Sequence, residues 1–190
     1  MSKFFSSDWH IDHTNVMKYS NRPFECIEDM NEIIIDNMMS PLKKGDIFYF
    51  LGDIGYGREA YQKVNKRIPR GVQFFWIPGN HDKKLLGATK NQNNKIQVAP
   101  PIMDINFKGH KVTLCHYPMI TWNQSHRNAW QLFGHHHTNG HGSEKLDELT
   151  QGKMLNVCCE FHDYKPLSEE RIASLMEQKG NNWDFIPKEK

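Results

Sequence analysis

Five short apolar runs in this sequence each end in side chains that can bind a metal ion or transfer a proton. The clearest run is 72–77, which leads into Pro78, Gly79, Asn80, His81 and Asp82. Glycine takes backbone angles that a side chain forbids, so Gly79 allows the two residues after it to be aimed off the end of a strand. The other four runs lead into Asp8-Trp9-His10, Gly52-Asp53, His116 and Gly134-His135-His136-His137.

These strand ends predict one convergent polar site. Short runs rich in aromatic and β-branched residues are typical of buried strands. Ligand sites in open α/β sheets lie outside the carboxyl ends of the strands. A polar residue at a strand-to-loop transition is common, and that explains any one of these ends. It explains poorly why all five deliver Asp, Asn or His.

Spacing within two of the segments indicates which side chains face the site. In extended backbone, residues two apart face the same way. Asp8 and His10 are then on one side, and the tryptophan between them points into packing. The same argument places His135 and His137 together. It leaves His136 open as a ligand in place of a neighbour.

The candidate ligands are two carboxylates, one amide and four imidazoles: Asp8, His10, Asp53, Asn80, His116, His135 and His137. This set is too large for one tetrahedral zinc ion. It suits two divalent ions about 3.5–4 Å apart, the separation typical of two-metal hydrolytic sites. Nitrogen and oxygen ligands without a thiolate favour Mn, Fe, Zn or Ni, and of these we expect Mn.

Composition limits the classes of function. A chain of 190 residues, 38% of them hydrophobic, is predicted to form a single domain spanning 1–190. The net charge of +2 is too small to indicate a nucleic-acid or membrane surface, and no run approaches the roughly 18 apolar residues of a membrane span. The four cysteines lack CxxC spacing and no signal-peptide core precedes the first strand, so we expect a reduced, cytoplasmic protein.

The periodicity of apolar residues predicts the elements that carry these ends. Predicted helices cover 27–38, 58–68 and a segment that Ser168 caps and that ends near Gly180. Further predictions are a hairpin of 102–107 with 111–115, a last strand over 154–159, and polar loops over 8–25, 84–95 and 138–152. Strands alternate with helices early and pair as a hairpin late, which favours a layered α/β fold over an all-β one.

The strand-end motifs resemble, in order and in wording, those of the calcineurin-like metallophosphoesterase superfamily. The resemblance spans residues 1–137 and rests on Asp8-x-His10, Gly52-Asp53, Gly79-Asn80-His81-Asp82, His116 and Gly134-His135-x-His137. Other segments are similar to a small prokaryotic and phage phosphoesterase group: Ser7-Asp8-Trp9-His10 with Asn15, Tyr19-Ser20-Asn21-Arg22-Pro23-Phe24, and Leu155-Asn156-Val157 before Asp163-Tyr164-Lys165-Pro166.

The resemblance implies a fold, a ligand assignment and a mechanism. The fold is a two-sheet β-sandwich flanked by helices, in four αββα layers. The implied ligands are Asp8, His10, Asp53 and His137 for one ion and Asp53, Asn80, His116 and His135 for the other, with Asp53 bridging. A water or hydroxide shared by the ions would attack phosphorus in line. His81 would stabilise the phosphate and protonate the leaving oxygen.

The sequence differs from the Ser/Thr protein phosphatase branch of this superfamily at three motif positions. That branch has an Asp three residues after the bridging Asp, an Arg after it, and an Arg before its Gly-Asn-His motif. Here those positions are Tyr56, Gly57 and Pro78. The differences argue against a protein phosphatase, and they leave open what orients His81.

Substrate contacts are predicted from position alone. Arg22, in the polar loop after the first motif, could bind a phosphate oxygen with both arms of its guanidinium; a solvated arginine or a structural salt bridge is the alternative. His13 and Asn15 follow Asp8 and His10 closely and could line the substrate pocket. Helix capping or loop tethering is the alternative for both.

The sequence predicts a metal-dependent hydrolase of a small phosphodiester or phosphomonoester, with a nucleotide-like substrate expected. One alternative is a non-catalytic protein-binding scaffold of the same fold, disfavoured because no ligand position and no catalytic histidine is lost. The other is a phosphoesterase of nucleic-acid ends, for which the mild net charge provides no basic stripe.

Overall fold

The computed structural model describes residues 1–87, 94–138 and 150–187. Parts of two predicted loops, 84–95 and 138–152, lie outside these residues. The described chain forms two β-sheets with helices around them. The predicted α/β fold of two sheets flanked by helices is therefore confirmed.

The first sheet contains five strands in the order β4-β3-β2-β1-β9, and the second contains four in the order β5-β6-β7-β8. In chain order the strands are β1 Lys3–Ser6, β2 Ile47–Phe50, β3 Gln73–Trp76, β4 Ile96–Val98, β5 Ile102–Phe107, β6 His110–Cys115, β7 Trp130–Phe133, β8 Met154–Asn156 and β9 Leu167–Ser168. β1 to β4 are parallel, as are β6 to β8, and β5 pairs with β6 in the predicted hairpin.

Parallel pairing brings the strand ends together. Phe5 in β1 lies opposite Tyr49 in β2, which lies opposite Phe75 in β3. The carboxyl ends of these three strands therefore lie side by side. Just beyond β1 and β8, Ser7 pairs in parallel with Cys158. This bridge joins the two sheets at their carboxyl ends. The segments that follow β1, β2, β3, β6 and β7 therefore open at the same end of the molecule.

Two large clusters of buried apolar side chains pack the sheets and helices together. Between the sheets, Phe5 and Tyr49 pack in one buried cluster with Leu114 and Leu132 of the second sheet. Ile172, from the last helix, belongs to the same cluster. Burying large apolar side chains between two sheet faces is the main stabilising contribution in such a fold, at roughly 25 cal/mol per Å² of apolar surface.

Three of the four described helices cover the other face of the first sheet, and the last packs on the cluster between the sheets. The four described α-helices are α1 Thr14–Tyr19, α2 Ile27–Met39, α3 Gly57–Arg67 and α4 Glu169–Glu177. α2 and α3 pack on the second cluster, where Phe48 and Phe74 stack with ring centroids 5.0 Å apart and Trp9 meets Phe48 edge-on. None of the helices described has the length and apolar character needed to cross a membrane.

The structure corrects two element predictions and adds two strands. The predicted loop 8–25 contains α1, a short helix that buries only Val16 and so leaves little apolar periodicity in the sequence. β4 and β9 were not predicted, because strands of three and two residues are too short to show alternation. The last predicted strand ends at Asn156, whose side-chain oxygen accepts a hydrogen bond from the backbone N–H of Cys158 and turns the chain. The predicted cap is confirmed: Ser168 Oγ accepts from the N–H of Arg171.

Candidate metal centre

Side chains from four strand ends meet in one cluster. Nε2 of His10 lies 3.2 Å from Nε2 of His137 and 3.7 Å from Oδ2 of Asp53. The same Asp53 oxygen lies 3.5 Å from Nε2 of His116. These residues follow β1, β7, β2 and β6 respectively. The convergence predicted from the sequence is therefore present.

The cluster contains two overlapping groups of possible metal ligands. Asp8, His10 and His137 offer donor atoms within 4.8 Å of one another, as do Asp8, Asp53 and His116. Asp8 belongs to both groups. Because Oδ2 of Asp53 lies within 4 Å of ring nitrogens of both His10 and His116, this carboxylate reaches both groups as well.

Asn80 and His135 adjoin the second group. Oδ1 of Asn80 lies 2.9 Å from Nε2 of His116 and 3.0 Å from Nδ1 of His135. In β8, Asn156 donates from Nδ2 to the backbone carbonyl of His136, 2.9 Å away. The backbone between the two predicted ligands after β7 is thus fixed by the neighbouring strand.

An extended backbone at Asp8 and His10 is expected from the sequence, and the structure shows a different conformation. Both residues have left-handed dihedral angles, with φ of 60° and 53°, and so does Asp53 at 62°. Positive φ is uncommon outside glycine and is enriched at functional sites. Backbone bonds hold these angles, because the N–H of Asp8 donates to Gly52 (2.9 Å) and that of His10 to Asp53 (3.1 Å). Both side chains still reach the cluster, and Trp9 is fully buried between them as predicted.

Two glycines allow the strand ends to approach each other. A Cβ at Gly79 would overlap Oδ1 of Asp53, and a Cβ at Gly52 would lie 2.7 Å from Nδ1 of His116. Gly52 also has a φ of +93°, which a side chain would strain. The glycine in the Gly-Asp and Gly-Asn-His motifs is therefore explained by the space that the predicted ligands occupy.

Asp82 ties the second and third strand ends together. Its fully buried carboxyl accepts hydrogen bonds from the backbone N–H groups of Asp53 (2.7 Å), Ile54 (3.0 Å) and Gly79 (2.7 Å). It also accepts one from the indole N–H of Trp76 (3.0 Å). A single side chain thereby sets the separation of the segments that carry the predicted ligands Asp53 and Asn80.

His81 is placed at the edge of the cluster. Its ring is exposed and meets the ring of His10 edge-on, with centroids 5.4 Å apart. Its backbone N–H donates to Oδ1 of Asp53 (2.9 Å). The sequence left open what orients His81, and in the structure the backbone of this residue is fixed by the predicted bridging carboxylate itself.

Sequence reasoning missed Glu160. Its Oε1 lies 2.7 Å from Nδ1 of His137, and its Oε2 accepts from the backbone N–H and the hydroxyl of Thr138, both at 3.1 Å. Burial favours the neutral acid, but the bond to His137 and the charge of Arg22 outweigh it and lower the pKa of Glu160 to about 2. The strand-end rule could have identified this residue, since it directly follows the apolar run 154–159.

Arg22 has a structural role, which corrects its prediction as a substrate contact. The guanidinium is fully buried, with Nε 2.8 Å from Oε1 of Glu160. Nη1 donates to the carbonyl of Trp9 (2.7 Å) and Nη2 to that of Asp8 (2.8 Å). Because each nitrogen has a partner in the protein, none is directed at a phosphate. The side chain instead supports the loop that carries Asp8 and His10.

A third group, His137, Cys158 and Glu160, also offers donor atoms within 4.8 Å of one another. The charge of Arg22 already neutralises Glu160 at 2.8 Å, which argues against a metal ion there. Burial also raises the pKa of Cys158 well above its usual value. Glu160 instead hydrogen-bonds Nδ1 of His137, on the side of the ring away from the main cluster.

The electrostatics of the main cluster fit bound cations. Among the described residues, Asp8 and Asp53 form ion pairs with histidines only. Burial, opposed by His116 and reinforced by Asp8, raises the pKa of Asp53 to about 7. Burial and the neighbouring His116 lower the pKa of His135 to about 4, so its ring is neutral at pH 7 and can act as a ligand. Because no lysine or arginine of the described residues forms an ion pair with these buried carboxylates, divalent ions would supply the missing positive charge.

The two other predicted substrate contacts lie in different settings. The ring of His13 is 5.4 Å from that of His10 and 6.1 Å from that of His81, beside the cluster. Asn15 is exposed on α1, and among the described residues no hydrogen bond links its side chain to the cluster. The structure thus brings His13 to the site and leaves Asn15 as a prediction from position.

Comparisons with known proteins agree with this geometry. The family model described as calcineurin-like phosphoesterase matches residues 3–166. An uncharacterized protein of Methanocaldococcus jannaschii, MJ1445, is 32% identical over 180 residues, which cover 92% of this chain and 91% of that protein.

Two solved structures are similar. The protein of unknown function AQ665 from Aquifex aeolicus has 23% identity and a TM-score of 0.65, with 92% of this chain and 98% of that chain covered. This similarity to AQ665 supports the fold alone. YfcE, a phosphoesterase from E. coli, has 13% identity and a TM-score of 0.42 over 84% of this chain and 79% of its own, which is too distant to bear on this site.

Proposed function

This chain belongs to the calcineurin-like phosphoesterase family, and we propose on that basis that it is a dinuclear metal-dependent phosphoesterase. Its substrate in this proposal is a small phosphodiester or phosphomonoester, with a nucleotide-like compound expected. The observation that carries the proposal is the position of Asp53. One of its oxygens lies within 4 Å of ring nitrogens from both ligand groups, as a bridging ligand requires.

The ligand groups provide for two ions. One would be held by Asp8, His10, Asp53 and His137, and the other by Asp53, Asn80, His116 and His135. Manganese is the preferred ion, with iron, zinc and nickel compatible with the same ligands. Divalent ions bound there supply Lewis acidity, which neutralises phosphate charge and makes water a stronger nucleophile near neutral pH.

The residues of the chain position and protonate the substrate. In the proposed hydrolysis the oxygen of a water molecule forms a bond to phosphorus and the ester P–O bond breaks. The attacking water releases a proton to solvent, and the leaving oxygen takes one from the ring of His81. The exposed ring of His81, held beside His10, is accessible to an ester bond at the cluster. The products are an alcohol and the shortened phosphate.

Hydrolysis of bis-p-nitrophenyl phosphate tests this function. The purified protein, freed of metal by chelation, is expected to regain activity when manganese is added. The D53N variant is expected to stay inactive while keeping its fold, because an amide is a poor bridging ligand and yet can accept the hydrogen bond from the N–H of His81. Absence of turnover with every divalent metal tried would overturn the proposal.

A further inference from the structure

Tyr56 is an exposed aromatic residue on a fixed stretch of backbone at the border of the candidate metal centre. Two-thirds of its surface (66%) is accessible to solvent. Its backbone N–H donates to the carbonyl of Ile11 at 2.7 Å, and Ile11 pairs with Gly55. A Cβ at Gly55 would lie 2.5 Å from that carbonyl, so the close contact requires glycine. The Tyr56 ring is thus exposed to solvent while its backbone is held by hydrogen bonds, an arrangement suited to binding a ligand.

The Tyr56 ring continues a line of rings that starts in the cluster. It stacks on His13 with centroids 5.8 Å apart and planes at 24°, an offset arrangement within the usual range for aromatic pairs. His13 in turn is 6.1 Å from His81 and 5.4 Å from His10. A substrate whose phosphate lies at the cluster would therefore extend over His13 to reach Tyr56.

A second exposed tyrosine borders the other group of predicted ligands. Tyr117 is 44% exposed and meets His135 and His116 edge-on, with centroids 4.7 Å and 4.9 Å away. The described ring contacts of His81 are with His10 and His13, on the Tyr56 side. Since the proposed acid faces the leaving oxygen, the leaving group is directed towards Tyr56 and away from Tyr117.

We propose that Tyr56 and His13 form a binding platform for the planar aromatic part of the leaving group, which is the nucleobase of a nucleoside or the ring of a phenol. This inference rests on the proposed function and specifies the substrate class. The flat face of Tyr56 would stack on the aromatic part of the leaving group. Stacking of this kind tolerates any planar ring, because every nucleobase has a π face. Tyr56 would thus favour aromatic over aliphatic phosphoesters without selecting one base.

The experiment measures binding without turnover. Two ligands are compared by calorimetry on the manganese-loaded protein: the 5′-methylene phosphonates of adenosine and of ribose, in which carbon replaces the leaving oxygen. The wild-type protein is expected to bind the adenosine analogue about tenfold more tightly, from the usual strength of base stacking. Benzylphosphonate, measured alongside, shows whether an aryl ring suffices or a nucleobase is needed.

Three variants assign the preference to the platform. Y56A is expected to remove the difference between the two analogues and Y56F to keep it, because only the ring is needed. Y117A, a matched loss of an exposed tyrosine beside His116 and His135, is expected to keep it too. Equal binding of both analogues by the wild-type protein, or a preference that persists in Y56A, would overturn the platform. Failure to hydrolyse bis-p-nitrophenyl phosphate would instead count against the proposed function alone.

Discussion

Oε1 of Glu160 lies 2.7 Å from Nδ1 of His137, on the side of the ring opposite the metal cluster. The carboxylate sits beyond β8 and the histidine beyond β7, so two neighbouring strand ends are coupled. A hydrogen bond at Nδ1 fixes the tautomer that leaves Nε2 free to ligate, and it raises the basicity of the ring. Glu160 itself is held by Arg22, which also binds the backbone of the loop carrying Asp8.

The first prediction concerns this support. E160Q is expected to weaken manganese binding by about 10- to 100-fold, the usual effect of removing a hydrogen-bonding partner behind a metal ligand. Calorimetric titration of the metal-free protein measures it. E170Q is the matched control, since Glu170, in α4, forms an exposed ion pair with Lys108. Unchanged affinity in E160Q would show that His137 needs no such partner.

The second prediction concerns Asp82. D82A is expected to lower the free energy of unfolding by about 3 kcal/mol or more, because four buried N–H donors lose their acceptor and each unsatisfied donor costs about 1–3 kcal/mol. D36A should cost about 1 kcal/mol or less, since Asp36 forms an exposed pair with Arg67. Urea unfolding of both variants gives the comparison. Equal losses would mean that Asp82 is not the tie between the strand ends.

The third prediction concerns the close approach at Gly79. G79A is expected to displace the carboxylate of Asp53 and to reduce manganese affinity at least tenfold, because the new methyl group occupies the position of Oδ1. G180A is its control, as a Cβ there meets no atom within 4 Å. Metal content after gel filtration, by elemental analysis, reads out the difference. Full metal content in G79A would contradict the crowding seen around Asp53.

The fourth prediction concerns stability without metal. Burial raises the pKa of Asp53 to about 7, whereas the unfolded chain has the ordinary value near 3.8. Between these values the folded state binds more protons, so the free energy of unfolding of the metal-free protein falls as pH rises from about 4 to 7. D53N should lack this contribution and be the more stable protein at pH 7 without metal. Manganese should reverse the order by stabilising only the wild type.

Thermal unfolding with and without chelator, across this pH range, tests the fourth prediction. A wild-type protein that is more stable than D53N at pH 7 in the absence of metal would show that the buried carboxylate is already compensated by its surroundings.

The strand-end residues could be predicted from sequence because each is a local event, an apolar run that changes to a ligand-type side chain. The left-handed backbone at Asp8 and His10 could not, since it depends on hydrogen bonds to the separate segment at Gly52 and Asp53. The role of Arg22 likewise depends on a partner, Glu160, that lies far along the chain.

Short elements escaped prediction for a different reason. β9 is two residues long and exists because Leu167 and Ser168 pair with β1, so its signal lies in the partner strand. α1 buries one residue and has no side-chain cap. The stacking of Tyr56 on His13 joins two loops that are brought together by the Ile11–Gly55 bridge, and no spacing in the sequence encodes it.

Anomalous scattering from crystals of the manganese-loaded protein shows whether Asp53 bridges two ions. Two peaks are expected about 3.5–4 Å apart on either side of Oδ2 of Asp53, one near His10 and His137 and one near His116. A single peak, or peaks away from this carboxylate, would contradict it.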